Sequence, residues 1–193
     1  MLAGIVLAGG RSTRFGADKL QATYRGQPLL HHAALRLSEL CDDVVVVLAP
    51  DGDAAGLPPG IRTARDTTEG EGPLAGLHAG LVAAARSDAA IVVGGDMPDL
   101  QLDVAHEMTR VLDEADVEAV VLADGDRARP LPAVVRTAPA TAAAHALLHE
   151  GRRRLRDAID ALRTAVIDEA TWTALDPTRR SVFDVDEPGD LDR

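Results

Sequence analysis

The 193-residue sequence predicts a single α/β domain, three-layered and doubly wound around a mostly parallel sheet. Two observations carry that expectation. Short valine-rich runs alternate with helix-length segments, and the runs are apolar along their whole length instead of at every second position, the pattern of strands covered by helices on both faces. The runs are "LAGIVLA" at 2–8, "VVVVLA" at 44–49, "AAIVVGG" at 89–95 and "EAVVLA" at 118–123. Between them, "QPLLHHAALRLSEL" at 27–40, "GPLAGLHAGLVAAARS" at 72–87 and the stretch 99–115 repeat apolar residues at helical spacing. Two of these carry a proline near the start, where a helix tolerates its missing N–H. "LAPDGDAAGLPPG" at 48–60 is a loop rich in turn formers. Further on, "DGDRARPLPAVVR" at 124–136 reads as a turn and a strand, followed by helical segments near 139–150 and 152–163. This second half is expected to cap the same sheet. "FDVDEPGDL" at 183–191 reads as a last strand, a turn and a terminal helical fragment.

Composition narrows the function classes. A hydrophobic content of 46% fits a soluble globular chain, and no run of about 18 uncharged apolar residues is present to span a bilayer. "MLAGIVLAGG" lacks the basic region of a secretory signal and reads as the first strand. The single cysteine, Cys41, excludes an internal disulfide framework and a cysteine-rich zinc site; it points to a reducing cytoplasm and to packing at a helix end. A net charge of −11 argues against nucleic acid and anionic membranes as partners, and an aromatic content of 2% leaves little for base stacking. Residues 1–36 run against the overall balance: Arg11, Arg14, Lys19, Arg25 and Arg36 face Asp18 alone, a basic island suited to a small anionic ligand. A monomer or weak homo-oligomer is expected.

The candidate site begins with "IVLAGGRSTRFGADK" at 5–19, a strand that breaks into a glycine-rich loop. In open α/β sheets ligands sit beyond the carboxyl ends of the strands. Gly9, Gly10 and Gly16 let the backbone come close to a ligand and turn N–H groups toward phosphate oxygens, with Arg11, Arg14 and Lys19 as countercharge. The spacing matches neither G-x-x-x-x-G-K-[ST] nor G-x-G-x-x-G. Of the twenty basic residues Lys19 is the only lysine. A compact ammonium enters a phosphate site that a planar guanidinium fork does not. A glycine turn with solvated arginines is the competing reading.

"GGDMPDL" at 94–100 places Asp96 directly after a buried strand, where a carboxylate can hold Mg²⁺ alongside substrate phosphates; Asp99 is read as the cap of the next helix. Glycines at 70, 72, 76 and 80 crowd one helix. Gly72 with Pro73 makes a helix start whose N–H groups can face an anion or a base edge, Gly76 and Gly80 allow tight packing on the sheet, and Asp66 upstream is a second candidate for nucleotide or metal. "EGRRRLRD" at 150–157 is a cationic helix start, either a wet surface or, through Arg152 and Arg153, a binder of a second anionic substrate. Asp184 and Asp186 alternate with Phe183 and Val185, so they share a face and either reach the site or are solvated. His145 and His149 lie one helical turn apart without an obvious third metal ligand.

In this order the pieces resemble the molybdenum cofactor guanylyltransferase family within the MobA-like nucleotidyltransferases: "LAGGRSTRFGADK" its N-terminal signature, "GPLAGLHAGL" its second, "GGDMP" its metal-binding strand end and "FDVDEPGDL" its closing motif. The resemblance covers nearly the whole chain. It implies a Rossmann-like fold of the nucleotide-diphospho-sugar transferase type, with a nucleotide-binding half at 1–124 and an acceptor-binding half at 125–193. It further implies transfer of GMP from GTP to the phosphate of molybdopterin, with release of pyrophosphate and a requirement for Mg²⁺. On matching positions Leu7, Ala8 and Gly9 contact the nucleotide, Lys19 its phosphates, Asp66 the nucleotide and Asp96 the metal. Family members often carry asparagine near the end of the second strand, where this chain has Val47, Leu48 and Ala49, and in the closing motif, where it has Asp184 and Asp186. The base therefore stays open between guanine and cytosine, although the related cytidylyltransferases tend to read Leu-Ala-Ala-Gly where this chain has Leu7, Ala8, Gly9 and Gly10. The same motifs also fit a sugar-phosphate nucleotidyltransferase of this fold or a non-catalytic nucleotide-binding regulator.

Overall fold

A computed structural model of the chain describes residues 1–9, 19–52, 56–66 and 72–192. In chain order the elements are β1 (Leu2–Ala8), β2 (Thr23–Tyr24), β3 (Gln27–Pro28), α1 (Leu29–Ser38), β4 (Asp43–Leu48), β5 (Arg62–Arg65), α2 (Pro73–Ala83) and β6 (Ala89–Gly94). They continue with α3 (Leu102–Glu114), β7 (Ala119–Asp124), β8 (Arg127–Arg136), α4 (Thr137–His149), α5 (Leu155–Asp160), β9 (Thr164–Ile167) and α6 (Glu169–Leu175). Lys19–Gln21 forms a 3₁₀ turn ahead of the small β2–β3 hairpin.

Seven strands build one sheet in the order β5-β4-β1-β6-β8-β7-β9. β4, β1 and β6 pair in parallel, with Ile5 opposite Val45 on one side and Val92 on the other. β8 is antiparallel to both neighbours, and β9 is parallel to β7, so every strand of this sheet except β8 points the same way. The all-apolar runs follow from two covered faces. Val6, Val46 and Val93 pack with α1, α3 and the buried Trp172 of α6, whereas Ile5, Val45 and Val92 pack with α2, α4 and α5. In α3 the buried Val104, Ala105, Met108 and Leu112 repeat at helical spacing, and each large side chain so buried stabilises by about 1.5–3 kcal/mol. α2 presses close to the sheet at Gly80, where a Cβ would stand 2.6 Å from Ile5 Cγ2; Gly76 has ordinary room.

The observed fold agrees with the expected class and amends it in three places. The second half does not cap the sheet but extends it, because β8 returns antiparallel beside β6 and carries β7 and β9 outward. Residues 183–186 form no strand: Val185 sinks against Tyr24 and Leu29, and the segment is tied to the sheet through the Val185 N–H to the Asp96 carbonyl at 2.9 Å. β5, β9, α6 and the β2–β3 hairpin go beyond the sequence reading. Among the described residues no helix is long and apolar enough to cross a membrane.

Cys41 follows α1, its N–H bonded to the Leu37 carbonyl at 2.9 Å and its side chain against the α1–α3 core, as expected for helix-end packing. Burial, with help from Asp42 and Asp43, pushes its thiol up to about 12. A raised pKa leaves almost no thiolate below that pH. Alkylation of native Cys41 by iodoacetamide at pH 8.5 is therefore expected to run at least about 100-fold slower than in the urea-unfolded chain, measured by mass spectrometry.

Candidate active site at the carboxyl edge of the sheet

β1, β4, β5 and β6 all end at one edge, where the end of β1 and the turn after β6 lie side by side. Leu7 lies opposite Gly94, and the Gly95 N–H donates to the Leu7 carbonyl at 2.9 Å. Two glycines then shape the acidic turn. A Cβ on Gly94 would stand 2.3 Å from Asp96 Oδ1, so only glycine lets this carboxylate fold back over the strand end. A Cβ on Gly95 would stand 3.1 Å from Leu20 Cδ2, so its absence lets the turn that carries Lys19 close in.

Lys19, only 8% exposed, places its ammonium 3.0 Å from Asp96 Oδ2 and 3.2 Å from Asp186 Oδ1. Burial by itself lowers an ammonium pKa, but the two carboxylates outweigh it and hold Lys19 above the ordinary lysine value. Asp184, ion-paired with Arg129, is pushed above the usual carboxylate range by burial; Arg129 opposes this, and the nearby charges of Asp96 and Asp186 add to it. The strand tip thus gathers three carboxylates against Lys19 and Arg129. Such a hard-oxygen set with surplus negative charge has the donor chemistry of a hard divalent cation that takes one or two protein carboxylates and fills its other positions with water and phosphate. Among the described residues no group of three ligands stands ready for a metal on its own.

Leu7 and Ala8 end β1, and the exposed Gly9 follows them at the same edge. Asp66 follows β5 there too, its N–H bonded to the Leu48 carbonyl at 3.0 Å. Gly10, Arg11 and Arg14 lie outside the described residues. The start of α2 departs from expectation. Gly72 holds φ +78° and Pro73 has no N–H, while the Leu74 N–H donates to the Arg153 carbonyl at 3.2 Å and the Ala75 N–H to the Gly72 carbonyl at 3.2 Å. The first-turn donors at 74 and 75 are thus engaged within the protein. Arg152 pairs with Asp157 at 2.6 Å, and Arg153 backs the start of α2, so their described contacts are away from Asp184 and Asp186. His145 and His149 do gain a neighbour in His78, whose ring centroid is 5.6 Å from that of His145.

Asp99 is not the cap of α3. Gln101 stands at the cap, and the buried Asp99 carboxylate accepts hydrogen bonds from Tyr24, Arg25 and Arg180. Sequence reasoning also missed a cavity of about 420 Å³ lined by Asp124, Arg129, Arg179, Arg180 and Phe183. It adjoins the strand tip through the Arg129–Asp184 pair. Its arginines come from β8 and the chain after α6 and share no local motif; the doublet at 179–180 was the available signal.

A family model described as the MobA-like NTP transferase domain matches residues 4–166. The chain belongs to the MobA-like NTP transferase family. Among curated relatives of this transferase chain, a probable molybdenum cofactor guanylyltransferase of Chloroflexus aggregans is 34% identical, across 99% of this chain and 92% of that protein. One of Mycobacterium tuberculosis is 36% identical, across 89% and 87%. Among solved structures, molybdopterin-guanine dinucleotide biosynthesis protein A of Archaeoglobus fulgidus has the same fold, with a TM-score of 0.79 at 21% identity, covering 99% of this transferase and 95% of that chain.

Gly94→Ala is expected to drive the Asp96 carboxylate off the strand end and lower nucleotidyl transfer by about 10-fold or more, the scale of misplacing a charge-positioning group. Steady-state kinetics beside a thermal melt tests this; unaltered turnover in the folded variant would contradict the placement of Asp96.

Proposed function

We propose that this chain transfers GMP from GTP to the phosphate of molybdopterin. The observation that carries the reading is the Lys19 ammonium held between Asp96 and Asp186 at the carboxyl edge of the parallel strands. The guanylyltransferase relatives support the choice of base and acceptor. Leu7, Ala8, Gly9 and Asp66, with Gly10 and Arg11 of the following loop, border the nucleotide, and Gly72 with Pro73 shapes its outer wall. The acceptor takes the cavity beside Asp184, its anionic groups toward Arg129, Arg179 and Arg180 and its ring system toward Phe183. Arg152 and Arg153 steer it from the surface. Residues 1–124 thus chiefly serve the nucleotide and 125–193 the acceptor, with β7 and its Asp124 lying beyond β8 on the acceptor side.

In the reaction an oxygen of the acceptor phosphate bonds to the α-phosphorus of GTP while the bond from that phosphorus to the bridging oxygen breaks and pyrophosphate leaves. No covalent intermediate on the protein is needed. Lys19, with Arg14, faces the anionic charge that builds up as the pyrophosphate departs, and the walls hold the two anions in line. Asp96 and Asp186 are the residues that would hold Mg²⁺, which when bound neutralises phosphate charge. A triphosphate entering this site competes with the two aspartates for the ammonium, so the observed ion pairs are the resting partners of Lys19. The chain acts in the cytoplasm as a monomer or weak homo-oligomer.

Lys19→Ala and Asp96→Ala are each expected to cut turnover by at least about 100-fold, in line with loss of a charge-stabilising contact. Pyrophosphate release measured with GTP and with CTP, in each case with molybdopterin and Mg²⁺, is expected only with GTP. Preference for CTP, or silence with both nucleotides, would overturn the reading.

A further inference from the structure

Three segments distant in sequence bring charge to the site: 19–28 carries Lys19, 94–99 carries Asp96, and 180–186 carries Asp184 and Asp186. Each also contributes to a second contact point behind the site, on the carboxylate of Asp99. Tyr24 Oη donates to Asp99 Oδ2 at 2.8 Å, Arg25 Nη1 to Oδ1 at 3.1 Å, and Arg180 Nη1 to Oδ2 at 3.1 Å. Arg180 Nη1 also reaches Tyr24 Oη at 3.4 Å, so the first and third segments touch over the carboxylate of the second. The Asp99 side chain is 7% exposed and Tyr24 is fully buried, which makes these charge-assisted bonds strong and their loss costly. Other links reinforce the junction. The Gln101 N–H donates to Ser181 Oγ at 3.1 Å, and Val185 packs against Tyr24 and Leu29.

We propose that Asp99 is a positioning residue whose carboxylate, clamped by Tyr24, Arg25 and Arg180, holds the segments bearing Lys19, Asp96 and Asp186 in register. Asp99 does not face the reacting groups. It lies three residues beyond Asp96 in the same short connection between β6 and α3, so a shift of its anchor is passed to Asp96 along the backbone and to Lys19 and Asp186 through their own segments. Arg180 links the clamp to the acceptor cavity, whose wall it forms. The inference leans on the transferase reading only for what is being positioned; the register of the ion pairs is testable without turnover.

Because Lys19 is the only lysine, its acylation reports on the site by itself, and a short lysine peptide with a blocked amino terminus, added to the same reaction, serves as the reference. With an N-hydroxysuccinimide ester at fixed pH and peptide mapping, native Lys19 is expected to react slowly, being buried and doubly paired. Asp99→Asn keeps the shape and removes the charge. It is expected to raise Lys19 acylation by about 10-fold relative to the reference peptide and to lower transfer by about 10-fold, mainly in kcat, as misplaced catalytic geometry does. Tyr24→Phe, which removes one clamp bond, is expected to shift both in the same direction by less and decides the matter should Asp99→Asn fail to fold. Met108→Ala, a core truncation in α3, lowers the melting temperature and is expected to leave Lys19 acylation unchanged. Unchanged acylation in folded Asp99→Asn and Tyr24→Phe, or an equal rise in Met108→Ala, would overturn the proposal. A wild-type chain without transfer activity whose Lys19 still becomes reactive in Asp99→Asn would sustain the clamp and reject the guanylyl-transfer reading.

Discussion

The ammonium of Lys19 is held by two carboxylates that lie 77 and 167 residues away along the chain. Bringing such distant groups within hydrogen-bonding reach requires a scaffold already folded on its own account, since a few ion pairs cannot offset the entropy of closing loops of that length. The parallel sheet meets this requirement. β1 and β6 are neighbours, so the turn after β6 and the end of β1 lie beside one another, and the closing segment joins them through the backbone bond of Val185 to Asp96 and the side-chain contacts of Arg180, Ser181 and Asp186. The ion pairs then refine an arrangement that hydrophobic burial has already established.

The same edge reconciles an acidic chain with anionic substrates. The net charge of −11 extends to this edge, but there Lys19, Arg129, Arg179 and Arg180 stand among the carboxylates, each already paired. Paired guanidiniums stay ordered and keep further N–H groups for a ligand, because an arginine carries five donors in a fixed fork. An anion arriving there meets cations that need little reorganisation.

What the sequence disclosed divides along physical lines. β1, β4, β6 and β7 were legible because burial on both faces forces uninterrupted apolar runs. β5, "RTAR", carries no such signal: it is a largely exposed edge strand placed by parallel pairing with β4 and by the ion pair of Arg62 with Asp43. Lys19 and Asp96 were legible as a candidate site, and they do meet, because glycine turns after buried strands leave few reasons for a charge to be there. Asp99 was misread because an aspartate just before a helix has a local explanation, while its actual partners Tyr24 and Arg180 lie 75 and 81 residues away. The arginine-lined cavity escaped for the same reason, being a product of tertiary assembly. The closing segment kept its predicted alternation, with Val185 inward and two aspartates toward the site, yet without a ladder of hydrogen bonds.

The reversed strand β8 has a consequence beyond the order of the sheet. Joined to β7 by the short turn at 125–126, it forms a hairpin whose tip lies at the carboxyl edge and supplies Asp124 and Arg129 to the arginine-lined cavity. The strands β5, β4, β1 and β6 keep their registers without reference to that tip. Under the proposed division of the site the hairpin is a detachable module: lengthening or rewriting it would exchange the acceptor while leaving the strand ends that hold Lys19 and Asp96 in place.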